Sequence, residues 1–125
     1  MAKKSDFLVV SCPGGNETRD IINRDVLKAL GENSYLINVS RGTTVNEADL
    51  IFALENKIIA GAGLDVYLNE PNVPEALTKM DEVILLPHIG TATKETRETM
   101  LTLTIKNIQS FFESGKALTP VKLSI

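Results

Sequence analysis

Four residues of this 125-residue sequence could together carry out acid–base chemistry. They are Arg41, Asp65, Glu70 and His88, which is the only histidine. An arginine binds a carboxylate through two parallel hydrogen bonds, and a histidine exchanges a proton near neutral pH. A neighbouring carboxylate stabilises the charged form of the imidazole. Such a set could anchor a 2-oxo acid and protonate its carbonyl oxygen, while hydride would have to come from a cofactor.

Each of these residues also has an ordinary structural explanation. Arg41 could be a solvated turn residue, and Asp65 could cap a turn. Glu70 could simply be exposed before a proline, and His88 could end a buried strand. A shared function therefore requires that the fold bring the four side chains to one place.

Four short apolar runs without polar alternation predict strands that are buried on both faces, as in parallel sheets. The runs cover residues 7–11, 35–40, 58–67 and 82–87.

Helical patterns follow the strands. Asn23 is a possible N-cap of a helix that stops at Gly31, and Asn46 is a possible N-cap of a second helix. A third and longer pattern runs from Thr93 to Gly115. Its apolar stripe consists of Met100, Leu101, Ile105, Ile108, Phe111 and Phe112. The alternation predicts the α/β class, with a parallel sheet and flanking helices.

The predicted strands end close to the candidate residues. In an open α/β sheet, ligands bind beyond the carboxyl ends of the strands. Arg41 follows the second predicted strand, Asp65 lies at the end of the third, and His88 follows the fourth. Glu70 comes shortly after the third strand. The topology thus predicts that all four share one rim of the sheet.

Composition and charge narrow the possible partners and compartments. The formal net charge is −3, and no basic cluster extends beyond Lys3 and Lys4, which argues against nucleic acid and acidic membrane surfaces. The single Cys12 excludes an intrachain disulfide and favours a reducing compartment, so a cytoplasmic location is expected. No apolar run is long enough to span a bilayer. We predict no metal site.

Four ordered segments resemble the D-isomer-specific 2-hydroxyacid dehydrogenases. They are "DFLVVSCPGGNETRDII", "LINVSRGTTVNEADLIFAL", "GAGLDVYLNEPNVPEAL" and "VILLPHIGTATKETRETM". The resemblance is nearly continuous from Ser5 to Val121. The stretches "NEPNVPEAL" and "LTPV" are most similar to the branch that reduces hydroxypyruvate, glyoxylate and hydroxyphenylpyruvate.

The resemblance implies a role for each candidate residue. Arg41 would bind the substrate carboxylate, and Glu70 would pair with His88, the acid/base. Asp65 would contact the nicotinamide end of NAD or NADP. Further residues expected at the cofactor cleft are Cys12, Pro13, Thr18, Val39, Ser40 and Gly90.

One part of the family pattern is absent from the sequence. The turn G-x-G-x-x-G, which places a pyrophosphate on a helix N-terminus, does not occur, and neither does the residue that separates NAD from NADP. We therefore expect residues 1–125 to be the C-terminal part of an NAD(P)-binding Rossmann domain, without its first half and without the substrate domain. Gly14 and Gly15 also stand where the family often has a Leu-Thr pair.

These expectations combine into one functional hypothesis and one alternative. The chain is expected to be a piece of an oxidoreductase that transfers hydride between NAD(P)H and a small 2-oxo or 2-hydroxy acid, and to be inactive alone. The alternative is a non-catalytic product that serves assembly or regulation. The resemblance implies that the strand "FLVV" would lie beside the first strand of the Rossmann fold, which is absent from this sequence. The strand would then form an unpaired sheet edge, so the chain is also expected to be a homo-oligomer. The alternatives are association through helix faces and a monomer whose N-terminal strand rearranges locally.

Overall fold

The computed structural model describes residues 2–121, which divide into two units. The first unit extends to Ile89 and the second begins at Gly90.

The first unit is built on a four-stranded parallel sheet. Its strands are β1 (Phe7–Val10), β2 (Tyr35–Asn38), β3 (Gly61–Leu64) and β4 (Val83–Leu85). They pair in the order β1-β2-β3-β4. The predicted α/β class and the parallel sheet are confirmed. Each strand is shorter than the apolar run that predicted it, since the runs continue into the turns that follow the strands.

Three helices connect these strands, namely α1 (Arg24–Leu30), α2 (Glu47–Glu55) and α3 (Glu75–Thr78). The side chain of Asn23 accepts hydrogen bonds from Asp25 N and Val26 N, and Asn46 caps α2 in the same way through Asp49 N. Both predicted N-caps are confirmed. Helix α3 was not predicted, because its four residues are too few to show a helical period. Three short 3-10 helices lie at Ala2–Lys4, Asn16–Thr18 and Gly42–Thr44.

One face of the sheet carries the hydrophobic core. Helices α1 and α2 pack against each other, and their apolar side chains meet those of β2 and β3. The central members of this core include Leu27, Leu30, Leu36, Leu50, Leu54 and Leu64.

The opposite face of the sheet leaves apolar side chains exposed. Phe7 is 63% exposed, Val9 56% and Ile84 68%. These residues belong to the two outer strands, β1 and β4. Tyr35 of the inner strand β2 is also 40% exposed on this face. The prediction that all four strands are buried on both faces is therefore wrong, because an apolar run does not reveal whether other elements cover each face of its strand. On this face β1 and β2 are joined by the stacked rings of Phe7 and Tyr35, whose centroids are 5.2 Å apart.

The second unit contains α4 (Lys94–Ser114). Thr93 Oγ1 accepts a hydrogen bond from Thr96 N, and Gly115 ends the helix in the left-handed conformation, with φ of 73°. Both predicted helix ends are confirmed. Asn107 in the helix hydrogen-bonds the backbone of Thr119. Among the described residues, no helix has the length and apolar character needed to cross a membrane.

Two loops of the first unit approach each other at Gly42. A Cβ atom at this position would overlap the backbone carbonyl group of Tyr67. The turn that follows β2 can therefore lie against the loop that follows β3 only if residue 42 has no side chain.

We predict that Gly42→Ala destabilises the protein by at least about 2 kcal/mol, because the overlap is with backbone that cannot rotate away. Urea unfolding measures the change. Gly63→Ala in β3 is the matched control, since its Cβ would lie 3.1 Å from Ile37 Cδ1, a terminal methyl that can move. Equal destabilisation of the two variants would show that the two loops do not need this close approach.

Candidate functional site

The turn that follows β2 presents Arg41 from a buried hydrogen-bond network. Asn38 Nδ2 and Thr44 Oγ1 both donate to Arg41 O, at 3.1 and 2.7 Å. Ser40 Oγ lies 2.9 Å from Asn38 Oδ1 and 3.0 Å from Thr44 Oγ1. Because Asn38, Ser40 and Thr44 are all buried, the network fixes the backbone from which Arg41 projects.

The arginine side chain itself is exposed and lies over the loop that follows β1. A Cβ at Gly14 would lie 2.7 Å from Arg41 Cγ, so the glycine makes room for the arginine stem. The guanidinium donates from one Nη atom to Ser40 O at 2.7 Å. Within residues 2–121, neither Nε nor the second Nη of Arg41 donates a hydrogen bond to a protein atom. Those two donors form a fork that can bind a carboxylate in a bidentate manner.

Glu70 and His88 form the closest contact between ionisable side chains at this rim. His88 Nδ1 lies 2.7 Å from Glu70 Oε2, and the other oxygen, Oε1, accepts a hydrogen bond from Tyr67 N at 3.0 Å. The side chain of His88 is 47% exposed and that of Glu70 is 33% exposed, so water or a ligand can reach the pair. The predicted approach of these two side chains, 18 residues apart in the sequence, is confirmed.

Electrostatics favours the ionised form of Glu70. The hydrogen bond from His88 lowers the pKa of the Glu70 carboxyl below its ordinary value, and the hydrogen bond from Tyr67 N acts in the same direction. Partial burial opposes these effects. The positive charge of Arg41 contributes a smaller lowering of this pKa, which indicates that Arg41 lies in the electrostatic neighbourhood of the pair.

The backbone around His88 is held in an uncommon conformation. His88 has φ of 53°, in the left-handed region that residues other than glycine rarely adopt. Ile89 N, the next backbone donor, gives a 2.7 Å hydrogen bond to the buried carboxylate of Asp65. On the other side, Leu86 O accepts a 2.8 Å hydrogen bond from the hydroxyl of Tyr67. Strain of this kind is frequent at functional sites.

Tyr67 is the residue of this site that sequence reasoning missed. It appears in the sequence only as the last member of an apolar run. A signal was nevertheless present, since a buried tyrosine usually finds a partner for its hydroxyl. Burial raises the pKa of the Tyr67 hydroxyl, so this group remains a hydrogen-bond donor at neutral pH.

The predicted cofactor residues differ in what they offer a ligand. Thr18 Oγ1 donates to Pro13 O at 2.8 Å and closes the loop that follows β1 and contains Cys12. Val39 is 49% exposed and offers an apolar surface at the end of β2, whereas Ser40 is buried and bonded within the protein.

The carboxylate of Asp65 is directed to the backbone of Ile89, so in this geometry it supports the turn after His88. Gly90 begins the second unit. Its predicted role and that of the other cleft residues remain predictions.

A cavity of about 370 Å³ adjoins the acid–base pair. Glu70 and His88 line it together with apolar residues that include Val73, in the loop that follows Glu70, and Leu85, the last residue of β4. Among residues 2–121, no group of three or more histidine, cysteine or acidic side chains is placed to hold a metal ion.

The parallel sheet, with Arg41 and the hydrogen-bonded pair of Glu70 and His88 beyond its strand ends, has the architecture of a Rossmann-like α/β domain. The family model for the NAD binding domain of D-isomer specific 2-hydroxyacid dehydrogenases matches residues 1–90. The chain therefore belongs to the D-isomer specific 2-hydroxyacid dehydrogenase family.

Several curated relatives cover nearly the whole chain. It is 48% identical over 121 residues to a hydroxyphenylpyruvate reductase of Plectranthus scutellarioides, and 46% identical over 121 residues to a glyoxylate/hydroxypyruvate reductase of Arabidopsis thaliana. In each case the match covers 97% of this chain and 39% of the relative. The chain thus spans about two fifths of the length of these relatives.

Solved structures of the family superpose closely on the chain. The NADPH-dependent glyoxylate/hydroxypyruvate reductase of Sinorhizobium meliloti, in complex with NADP and malonate, matches with a TM-score of 0.93 and 49% identity. The match covers 99% of this chain and 41% of that structure. The same enzyme in complex with citrate matches with a TM-score of 0.91 and 52% identity, over 96% of this chain and 38% of the other.

We predict that the Glu70 carboxyl titrates below 4.5, the ordinary value for a glutamate, and that His88→Ala raises its midpoint. A depressed folded-state pKa adds stability that is present above the ordinary pKa and is lost as pH falls through the folded value. The stability difference between the protein and Glu70→Gln should therefore shrink on acidification through that range.

Carbon-13 NMR of the side-chain carboxyl groups measures the Glu70 midpoint directly. Carboxyl groups remote from the pair, such as that of Asp25 on α1, provide the internal control for His88→Ala. An unchanged Glu70 midpoint in His88→Ala would contradict the assignment of the hydrogen bond from His88 as the main cause.

Proposed function

We propose that this chain supplies the acid–base pair and the carboxylate anchor of an NAD(P)-dependent 2-hydroxyacid dehydrogenase. The observation that carries the proposal is the 2.7 Å contact between His88 Nδ1 and Glu70 Oε2, at the rim from which Arg41 also projects. The relatives that cover most of this chain are named as reductases of hydroxyphenylpyruvate, glyoxylate and hydroxypyruvate. A small 2-oxo acid is accordingly the proposed substrate class.

Arg41 is the proposed anchor for the substrate carboxylate. One of its Nη atoms is held by Ser40 O, which fixes the plane of the guanidinium. The remaining Nε and Nη donors point two parallel N–H groups at one ligand, the geometry that a carboxylate accepts. Binding there would also place a positive charge beside the 2-oxo group, which favours negative charge developing on the carbonyl oxygen.

His88 is the proposed general acid. Because Nδ1 faces Glu70, the proton available to a substrate is carried by Nε2 on the opposite side of the ring. The Glu70 carboxylate stabilises the imidazolium and fixes the ring orientation. In the direction of reduction, Nε2 delivers its proton to the carbonyl oxygen, and in the direction of oxidation it accepts the hydroxyl proton.

The residues present fit one end of a dinucleotide cofactor. The loops after β1 and β2, which carry Cys12, Pro13, Thr18 and Val39, form a wall beyond the strand ends, with the exposed Val39 suited to an apolar ring. A bound nicotinamide cofactor would supply the hydride. The sequence does not distinguish NAD from NADP.

We assign residues 1–125 to the second half of such a nucleotide-binding domain. These residues contain no G-x-G-x-x-G turn, so the site that holds a pyrophosphate in this kind of fold is not among them. Arg41 and His88 alone cannot position a nicotinamide against a substrate. We therefore expect the purified chain to show no turnover.

The proposed roles can be tested in a chimera. Replacing the matching segment of the Sinorhizobium meliloti reductase by this chain should give an enzyme that reduces glyoxylate or hydroxypyruvate with NADPH. His88→Ala should lower kcat/KM of the chimera by about 10²- to 10⁴-fold, because the general acid is lost. Arg41→Ala should raise KM and lower kcat, with a combined loss of about 10- to 100-fold.

Lys28→Ala, on the exposed surface of α1, is the control for the loss of a positive charge. This substitution should leave kcat and KM of the chimera unchanged. The chain without the rest of the reductase should show no NADPH oxidation under the same conditions. A folded chimera that binds NADPH and keeps full activity after His88→Ala would overturn the proposed role of His88.

We also propose that the purified chain self-associates through the free edge of β1. In the described sheet, β1 pairs only with β2, and its residues Phe7 and Val9 are exposed. An apolar strand edge with unpaired backbone groups readily pairs with a second copy. The exposed apolar strand β1 is also the observation that favours the alternative, a non-catalytic function in assembly or regulation.

Light scattering at micromolar concentration should therefore report a dimer or a larger species. Val9→Lys should shift the chain towards the monomer, because a charge on an edge strand opposes pairing. Ile108→Lys, a similar change at an exposed residue of α4, should have no effect unless association uses helix faces. A monodisperse monomer with protected amides at Leu8 to Val10 would exclude pairing through this edge.

A further inference from the structure

Tyr67 lies where three loops of the first unit meet. Its side chain is only 7% exposed, and its hydroxyl lies 2.8 Å from Leu86 O and 3.1 Å from Leu64 O. Its backbone nitrogen donates to Glu70 Oε1. Its carbonyl group is the backbone that Gly42 approaches. One residue thus contacts the turn after β2, the loop after β3 and the end of β4.

The hydroxyl contact acts close to the strained backbone of His88. Leu86 precedes His88 by two residues, and Pro87 between them restricts the chain further. Beyond His88, the carboxylate of Asp65 holds Ile89 N. The left-handed turn at His88 is therefore fastened on both sides by side chains of the loop that also presents Glu70.

We propose that Tyr67 is a positioning residue for the acid–base pair: its hydroxyl fastens the end of β4 to the loop that carries Glu70, so that His88 Nδ1 meets Glu70 before any ligand binds. The importance of this arrangement for catalysis rests on the proposed function, whereas the arrangement itself does not.

The phenyl ring and the hydroxyl have separable roles. The ring fills space in the buried core cluster, and a phenylalanine would fill it equally well. Only the hydroxyl bridges to Leu86 O. Tyr67→Phe therefore removes the bridge while it keeps the packing. If the role of the hydroxyl were purely structural, its loss would lower the stability of the protein without changing the contact between His88 and Glu70.

The experiment compares Tyr67→Phe with Tyr35→Phe by NMR. The chain has two tyrosines, and Tyr35 is the matched control because its ring lies on the exposed face of the sheet, stacked on Phe7. The probe is the Nδ1 proton of the only histidine, whose hydrogen bond to Glu70 deshields it and slows its exchange with water. Glu70→Gln identifies the signal by changing its chemical shift.

In Tyr67→Phe we expect the exchange of the Nδ1 proton to accelerate about tenfold, which is the scale of one lost hydrogen bond. The amide of Ile89 should exchange faster as well, while Tyr35→Phe leaves both rates unchanged. Folded Tyr67→Phe protein with both rates as in the unmodified chain would overturn the proposal, whatever its melting temperature.

A second measurement covers the case in which Tyr67→Phe does not fold. In protein labelled with 3-fluorotyrosine, Glu70→Gln should shift the fluorine resonance of Tyr67 and leave that of Tyr35 in place, because only Tyr67 is bonded to the loop of Glu70. Two unshifted resonances would contradict the coupling. Neither measurement involves turnover, so a failed positioning role and a failed reductase activity are distinguishable outcomes.

Discussion

The site depends on the parallel register of β2, β3 and β4. At each step the first residue after a strand donates to the last carbonyl of its neighbour, as Asp65 N does to Asn38 O at 3.0 Å and Leu86 N does to Leu64 O at 2.8 Å. The chain consequently leaves all three strands at the same level and on the same edge. The side chains that follow these strands, namely those of Arg41, Asp65, Glu70 and His88, therefore lie at one edge of the sheet. None of the four residues lies within a strand.

The features that sequence reasoning predicted have local causes. Asn23 and Asn46 cap their helices because an asparagine before an amphipathic segment satisfies backbone donors that the helix leaves free. Glycine ends α4 because position 115 needs a positive φ. The four strands were recognisable because parallel strands typically have uninterrupted apolar runs bounded by turn residues. The pairing of Glu70 with His88 followed from the strand order together with the family resemblance.

The features that sequence reasoning missed depend on contacts between distant segments. The exposed face of Phe7, Val9 and Ile84 depends on which elements pack on that side of the sheet, and an apolar run does not reveal their placement. The need for glycine at position 42 arises from backbone of Tyr67, 25 positions further along. The hydroxyl of Tyr67 likewise acts on a carbonyl group 19 residues away. Helix α3 is too short to have a periodic signature.

The histidine, its glutamate partner and the two side chains that fasten the histidine loop all lie in one β3–α3–β4 crossover. Asp65 and His88 mark the two ends of this stretch of 24 residues, counted inclusively from 65 to 88. The proposed acid–base residues are therefore encoded by a single short stretch of gene, whereas the proposed carboxylate anchor, Arg41, comes from an earlier segment. Under these proposed roles, recombination that exchanges the earlier segments would alter which molecules are bound while it transmits an intact proton donor, so the two properties would be free to evolve at different rates.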